Sequence, residues 1–95
     1  MKVIVELGKG ISRTDDLEKR IGNYFLRLER KLSSLPEAMK RIWVRVDKRR
    51  GIYHVQSKMK VGGELIVVEK QGDRLIGVVT EVRDDLERRF KRMKR

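Results

Sequence analysis

Between Lys2 and Leu7 the apolar residues Val3, Val5 and Leu7 alternate with Lys2, Ile4 and Glu6, the period of a β-strand with one face turned inward. Gly8-Lys9-Gly10 breaks the alternation, and a new period starts at Leu17 and continues through Ile21, Phe25, Leu28 and Leu32. Steps of three and four residues hold those side chains on one helical face, which predicts a helix reaching Leu32. Thr14 stands where its hydroxyl would cap the first turn, and Asp15 and Asp16 lie where the helix dipole favours negative charge. Ser33-Ser34-Leu35-Pro36 ends the helix, because Pro36 has no amide donor and biases Leu35 away from helical angles.

Alternation returns at Ile42, Val44 and Val46, set against Arg41, Trp43, Arg45 and Asp47. Lys48-Arg49-Arg50-Gly51 then reads as a basic hairpin loop. Over Ile52–Val61, Tyr53, Val55, Met59 and Val61 share one side, and His54, Gln56, Lys58 and Lys60 the other. That strand has one buried and one wet face. Gly62-Gly63 suits a tight turn, and Glu64–Glu69 encloses the apolar run Leu65-Ile66-Val67-Val68 of a fourth strand. Leu75, Val79, Val82, Leu86, Phe90 and Met93 mark a long second helix. Its acids Asp73, Glu81, Asp84 and Asp85 are expected towards the start and its cations at the end, as the dipole prefers.

The order strand, helix, three strands, helix predicts an α+β, two-layer β-α-β-β-β-α domain over residues 1–95, similar to a double-stranded-RNA-binding domain. Strands two to four would form an antiparallel meander. The first helix would cross over so that strands one and two run parallel, giving a four-stranded mixed sheet with both helices on one face.

Charge changes the picture most. Against 14 Asp and Glu stand 25 Lys and Arg, a net charge of +11, which implies an anionic partner. Charge alone does not choose among RNA, DNA and an anionic membrane. The absence of Cys removes disulfides, thiolate metal sites and thiol nucleophiles. No apolar run nears the roughly 20 residues a membrane helix needs, and Glu6 comes too early for a secretory signal. A cytoplasmic protein is expected.

Catalytic constellations do not assemble. His54 is the lone histidine and has no partner Ser or Cys in a hydrolase motif, so it reads as a polar strand residue. Asp84 and Asp85, being adjacent, point in different directions on a helix and make poor joint metal ligands. Gly8-Lys9-Gly10 lacks the length and the Lys-Ser/Thr ending of a phosphate-binding loop. No enzyme, cofactor, metal or small-molecule substrate is therefore expected. The cations Arg88, Arg89, Lys91, Arg92, Lys94 and Arg95 could be a solvated helix end, but the same sign recurs at Lys48, Arg49, Arg50, Lys58 and Lys60. Together they read as one RNA-facing surface. Trp43 and Tyr53 raise base stacking, yet aromatic residues make up only 5% of the chain and no aromatic-glycine signature accompanies them. Packing is expected for both, with Ile4, Ile66 and Val68 joining Trp43 on the face opposite Val44.

Thr14, Leu17, Phe25, Arg27, Leu28 and Glu29 resemble, without a gap, the first-helix pattern of the ribosome hibernation-promoting factors, also called ribosome-associated inhibitors. Gly62-Gly63-Glu64 resembles that family's glycine pair before its last strand. Leu86 and Arg88 resemble the end of its second helix, with Arg92 and Lys94 on basic positions beyond. Departures occur at Arg74–Thr80, where the family's acids and tyrosine are missing and Gly77 replaces alanine, and at Asp85, where a Lys is common. The linker from Ser33 to Lys40 looks longer than the family's. In length the chain resembles a divergent short form. The resemblance implies a domain on the small ribosomal subunit, in the channel used by messenger and transfer RNA, touching ribosomal RNA and silencing translation; between oligomeric states a monomer is favoured. It also adds Arg27 to the candidate RNA contacts. Two other readings stay open: a general double-stranded RNA binder, and a protein-interaction module using the sheet face around Trp43.

Overall fold

Six elements account for most of the chain: strand β1 at Lys2–Leu7, helix α1 at Asp15–Leu26, strands β2 at Arg41–Arg49, β3 at Ile52–Val61 and β4 at Glu64–Gly72, and helix α2 at Leu75–Met93. They are seen in a computed structural model that describes residues 1–12, 15–32, 36, 40–61 and 63–93. The expected Thr14 cap, the Ser33-Ser34-Leu35 helix stop and Gly62 of the second hairpin lie outside the described residues.

The sheet order is β1-β2-β3-β4, with β1 parallel to β2 and the other pairs antiparallel. The expected β-α-β-β-β-α fold with a four-stranded mixed sheet is therefore the observed one. Alternation sets which side chains meet the helices. Ile42, Val44 and Val46 of β2, Val55 and Met59 of β3, and Ile66 and Val68 of β4 are all buried. They pack with Ile21, Phe25, Leu28 and Leu32 from one side of the helical layer and Val78, Val79, Val82, Leu86 and Phe90 from α2. α1 lies over β1, while α2 lies over β3 and β4 and touches α1. The opposite face of the sheet is open.

Four details differ from the sequence reading. The α-helix stops at Leu26 and the chain tightens into a 3₁₀ turn at Glu29–Leu32, where Lys31 N bonds Leu28 O at 2.9 Å. Leu28 and Leu32 stay buried because a 3₁₀ turn after a helix still returns every third or fourth residue to the same side. Lys48 and Arg49 belong to β2 rather than to the loop; the loop is Arg50-Gly51 alone. Both loop residues have positive φ, 51° and 78°, the signature of a type I′ hairpin that follows the strands' twist. Ile66 and Val68 face the core, so the β4 residues beside Trp43 on the open face are Leu65 and Val67. The first turn of α2 carries no acid: Glu81, Asp84 and Asp85 fall in the helix's middle, where Asp84 and Asp85 answer neighbouring cations rather than the dipole.

Candidate nucleic-acid interface

The direction of each element decides where the cations gather. β1 and β2 start at the same end of the sheet, with Lys2 aligned to Arg41. β3 ends there with Lys58 and Lys60, and β4 begins there, Lys60 pairing with Leu65. α2 runs back along β4 and finishes at this end: Asp85 reaches Lys70, and farther along Arg89 reaches Val67. α1 runs back along β1, and the chain just beyond it returns to the start of β1, where the amino terminus meets Glu29 at 3.2 Å. This basic end therefore unites Arg27, Lys58, Lys60, Arg88, Arg89, Lys91 and Arg92 from separate stretches of sequence. Lys94 and Arg95 lie outside the described residues.

Lys48, Arg49 and Arg50 sit at the other end, beside the β2–β3 hairpin. With the molecule's longest extent at 40 Å, they do not share one surface with the α2 cations. Lys48 is also turned to the helix side of the sheet, its Nζ 4.9 Å from the centre of the Tyr53 ring. Tyr53 is half-buried against the core, as expected for a packing residue.

Neighbouring acids grade the cations of the basic end. Asp85, with a largely covered side chain, lies 3.6 Å from Lys70 Nζ, 3.6 Å from Arg88 Nη2 and 3.4 Å from Arg89 Nη2. Glu87 meets Lys91 at 3.4 Å and Lys31 at 3.6 Å. Arg27 lies 5.4 Å from the ring centre of Tyr24, which Arg83 approaches at 5.9 Å. Arg92, Lys58, Lys60, Arg41 and Lys2 have no ion pair among the described residues, so their charge is least compensated. Sequence reasoning passed over Lys2 and Arg41. Their alternation with Val3 and Ile42, which face the core, was the available signal.

The open face falls into rows set by register. Lys2, Arg41, Lys60 and Leu65 form the outermost row, and Ile4, Trp43, Lys58 and Val67 the next. Beyond them lie Glu6, Arg45, Gln56 and Glu69. In that third row Arg45 donates to Glu6 at 2.7 Å and to Asp47 at 3.0 Å, and Gln56 donates to Glu69. The bonded Asp47 carboxylate, with Glu6 adding to it, raises the Arg45 guanidinium above its ordinary value, so Arg45 is a fixed cation spent on its own acids. Trp43 is 40% exposed in the middle of this face, outside the core. Among the described residues no His, Cys, Asp and Glu cluster could hold a metal ion, and no helix is long and apolar enough to cross a membrane.

No protein-family model matches the sequence, and no curated protein does. Solved structures do match. The chain is similar to the N-terminal domain of protein Y from Thermus thermophilus, with a TM-score of 0.78, 18% identity, and coverage of 98% of this chain and 99% of that one. It is also similar to a ribosomal subunit interface protein from Coxiella burnetii, with a TM-score of 0.77, 16% identity, and coverage of 99% and 98%. The chain shares the fold of a ribosomal subunit interface protein. At these identities the likeness is one of fold, extends over nearly the whole chain, and agrees with the resemblance read from its residues.

Proposed function

We propose that the chain binds the ribosome through its basic end, lodging on small-subunit ribosomal RNA in the messenger and transfer RNA channel and silencing translation. The observation that carries this reading is the convergence of cations from four elements at one end of a fold also found in a ribosomal subunit interface protein. Such an end neutralises phosphates and fixes register on folded RNA without reading base sequence. The ribosome supplies the specificity through the shape of the channel. Function here is occupancy, with no chemical step, and a cytoplasmic monomer suffices for it.

The test is co-sedimentation of the protein with isolated small ribosomal subunits in sucrose gradients at rising salt, beside a folded duplex RNA. Binding at one protein per subunit is expected. If about five phosphates are neutralised, affinity should fall roughly 100- to 500-fold between 50 and 200 mM salt. Equal affinity for the duplex would move the function to a general double-stranded RNA binder. Absence from the subunit fractions at low salt would end the ribosomal reading.

A further inference from the structure

Trp43 is the chain's one tryptophan and sits on the open sheet face, not in the core. Ile4 flanks it on β1, Lys58 on β3, and Val67 lies beyond Lys58 on β4. Ile4 is 36% and Leu65 57% exposed, so the apolar surface continues from Trp43 towards both edges. A large aromatic left half in water at a sheet's centre contributes little to folding when the core forms on the opposite face. Exposed apolar patches rimmed by polar residues mark interaction sites.

Charge beside the patch selects the occupant. Lys58 lies directly next to Trp43, and Lys2, Arg41 and Lys60 form the adjoining row, about 7 Å away along the strands. Of the acids on this face, Glu6 and Asp47 are paired with Arg45, while Glu69, bonded only to the neutral Gln56, is outnumbered by Lys2, Arg41, Lys58 and Lys60. The local field around the indole is therefore positive. A second copy of this chain would bring Lys58 and its own positive row against the same charges. A planar base with an attached phosphate fits both halves of the site, the ring stacking on Trp43 and the phosphate meeting Lys58, Arg41 or Lys60.

We infer that the open face around Trp43 is a stacking site for an unpaired nucleotide. It deepens the RNA-binding reading above by naming the form of RNA taken on this face, single-stranded rather than duplex, and it is separate from the helix-borne cations of the basic end. A base held inside a duplex has its faces covered by its neighbours and cannot lie on the indole, so the site discriminates by strandedness. A shallow concavity lies beside the indole, lined by Ile4, Glu6, Trp43, Arg45, Gln56 and Lys58, with Glu6 held by Arg45. Stacking accepts any base, so little sequence preference follows.

Because Trp43 is unique, its emission reports the site directly. Titration of the full chain with a ten-nucleotide oligouridylate should quench Trp43 saturably, while a blunt ten-base-pair duplex at equal phosphate concentration should not. By anisotropy of the labelled oligonucleotide, Trp43→Leu should weaken binding roughly 5- to 150-fold, the range for loss of one stacked base. Trp43→Phe, which keeps an aromatic face, should stay within about fivefold of the parent. The pair Lys91→Ala with Arg92→Ala should leave the quenching within about twofold while reducing subunit binding, since these cations stand on the helix side. In the parent chain, quenching without any subunit binding would remove the ribosomal target and leave this site standing. Subunit binding without any quenching would overturn the site alone. Equal quenching by the duplex would overturn it too, as would emission that follows protein concentration and ignores the oligonucleotide, the mark of a dimer through this face.

Discussion

Arg89 Nη1 donates a hydrogen bond of 2.8 Å to the main-chain oxygen of Val67, so a cation of α2 closes onto the edge strand of the sheet. Its Nη2 lies 3.4 Å from Asp85, which also holds Lys70 and Arg88. The contact occupies an acceptor on β4, an edge otherwise open to pairing with another strand. It also means that Arg89 contributes to fold and charge together, unlike Arg92.

Asp85 stands where stability and binding oppose one another. Asp85→Ala removes one acid and releases three cations at or beside the basic end. Urea unfolding should show a loss of about 0.5–1 kcal/mol, small because the partners are partly exposed. RNA affinity at low salt should rise instead, with a steeper salt dependence. A fall in affinity without unfolding would mean that Asp85 orients Arg88 and Arg89 for binding.

The β2–β3 hairpin offers a change that separates stability from function. Arg50 holds a φ of 51°, a left-handed conformation that asparagine adopts with less strain. Arg50→Asn should therefore raise stability by about 0.5 kcal/mol. Gly51→Ala should lower it by about 1 kcal/mol, because a side chain is strained at φ 78° even though the space around it is open. Denaturant midpoints of the two variants, moving in opposite directions, check both.

Ser57 is fully buried on β3 between Val44 and Val68, and its hydroxyl has no hydrogen-bond partner among the described residues. Removing a polar group held without a partner relieves a desolvation cost. Ser57→Ala should thus leave stability unchanged or raise it by up to about 1 kcal/mol, read from the urea midpoint. A loss above that would reveal a bonded hydroxyl.

Gly77 is exposed in the first turn of α2, and a methyl group there would meet only Arg74 Cβ at an ordinary 3.8 Å. Gly77→Ala should raise the thermal midpoint, with a gain of about 0.5–1 kcal/mol from the lower entropy of the unfolded chain. No change in RNA binding is expected, as Gly77 lies at the start of α2, away from the cations at its end.

The fold was readable because each element repeats its own period: Ile42, Val44 and Val46 every second residue, Val79, Val82, Leu86 and Phe90 every third or fourth. Periodicity reports a face, however, not how the backbone closes it. Leu28 and Leu32 satisfy the same face in a 3₁₀ turn, so the end of α1 was overrun. The apolar run Leu65-Ile66-Val67-Val68 fits either face by composition, and only pairing with β3 decides that Ile66 and Val68 turn inward. Site residues suffered more. Lys48 and Lys60 look alike as sequence, yet one rests on Tyr53 and the other joins an unpaired row at the far end of the sheet. That division follows from strand direction and from acids as distant in sequence as Asp85 is from Lys70, which local patterns do not encode.

If the basic end rather than total charge holds the ribosome, the position of a cation should matter at equal net charge. Lys60→Ala with Arg92→Ala and Arg49→Ala with Arg50→Ala each remove two cations, from opposite ends of the molecule. Co-sedimentation of both double variants with small ribosomal subunits at 100 mM salt compares position at equal charge. The first pair should bind at least about 10-fold more weakly than the parent, about 1.4 kcal/mol, while the second stays within about twofold. Equal losses for the two pairs, or a larger loss from the hairpin, would mean that the basic end is not what holds the ribosome.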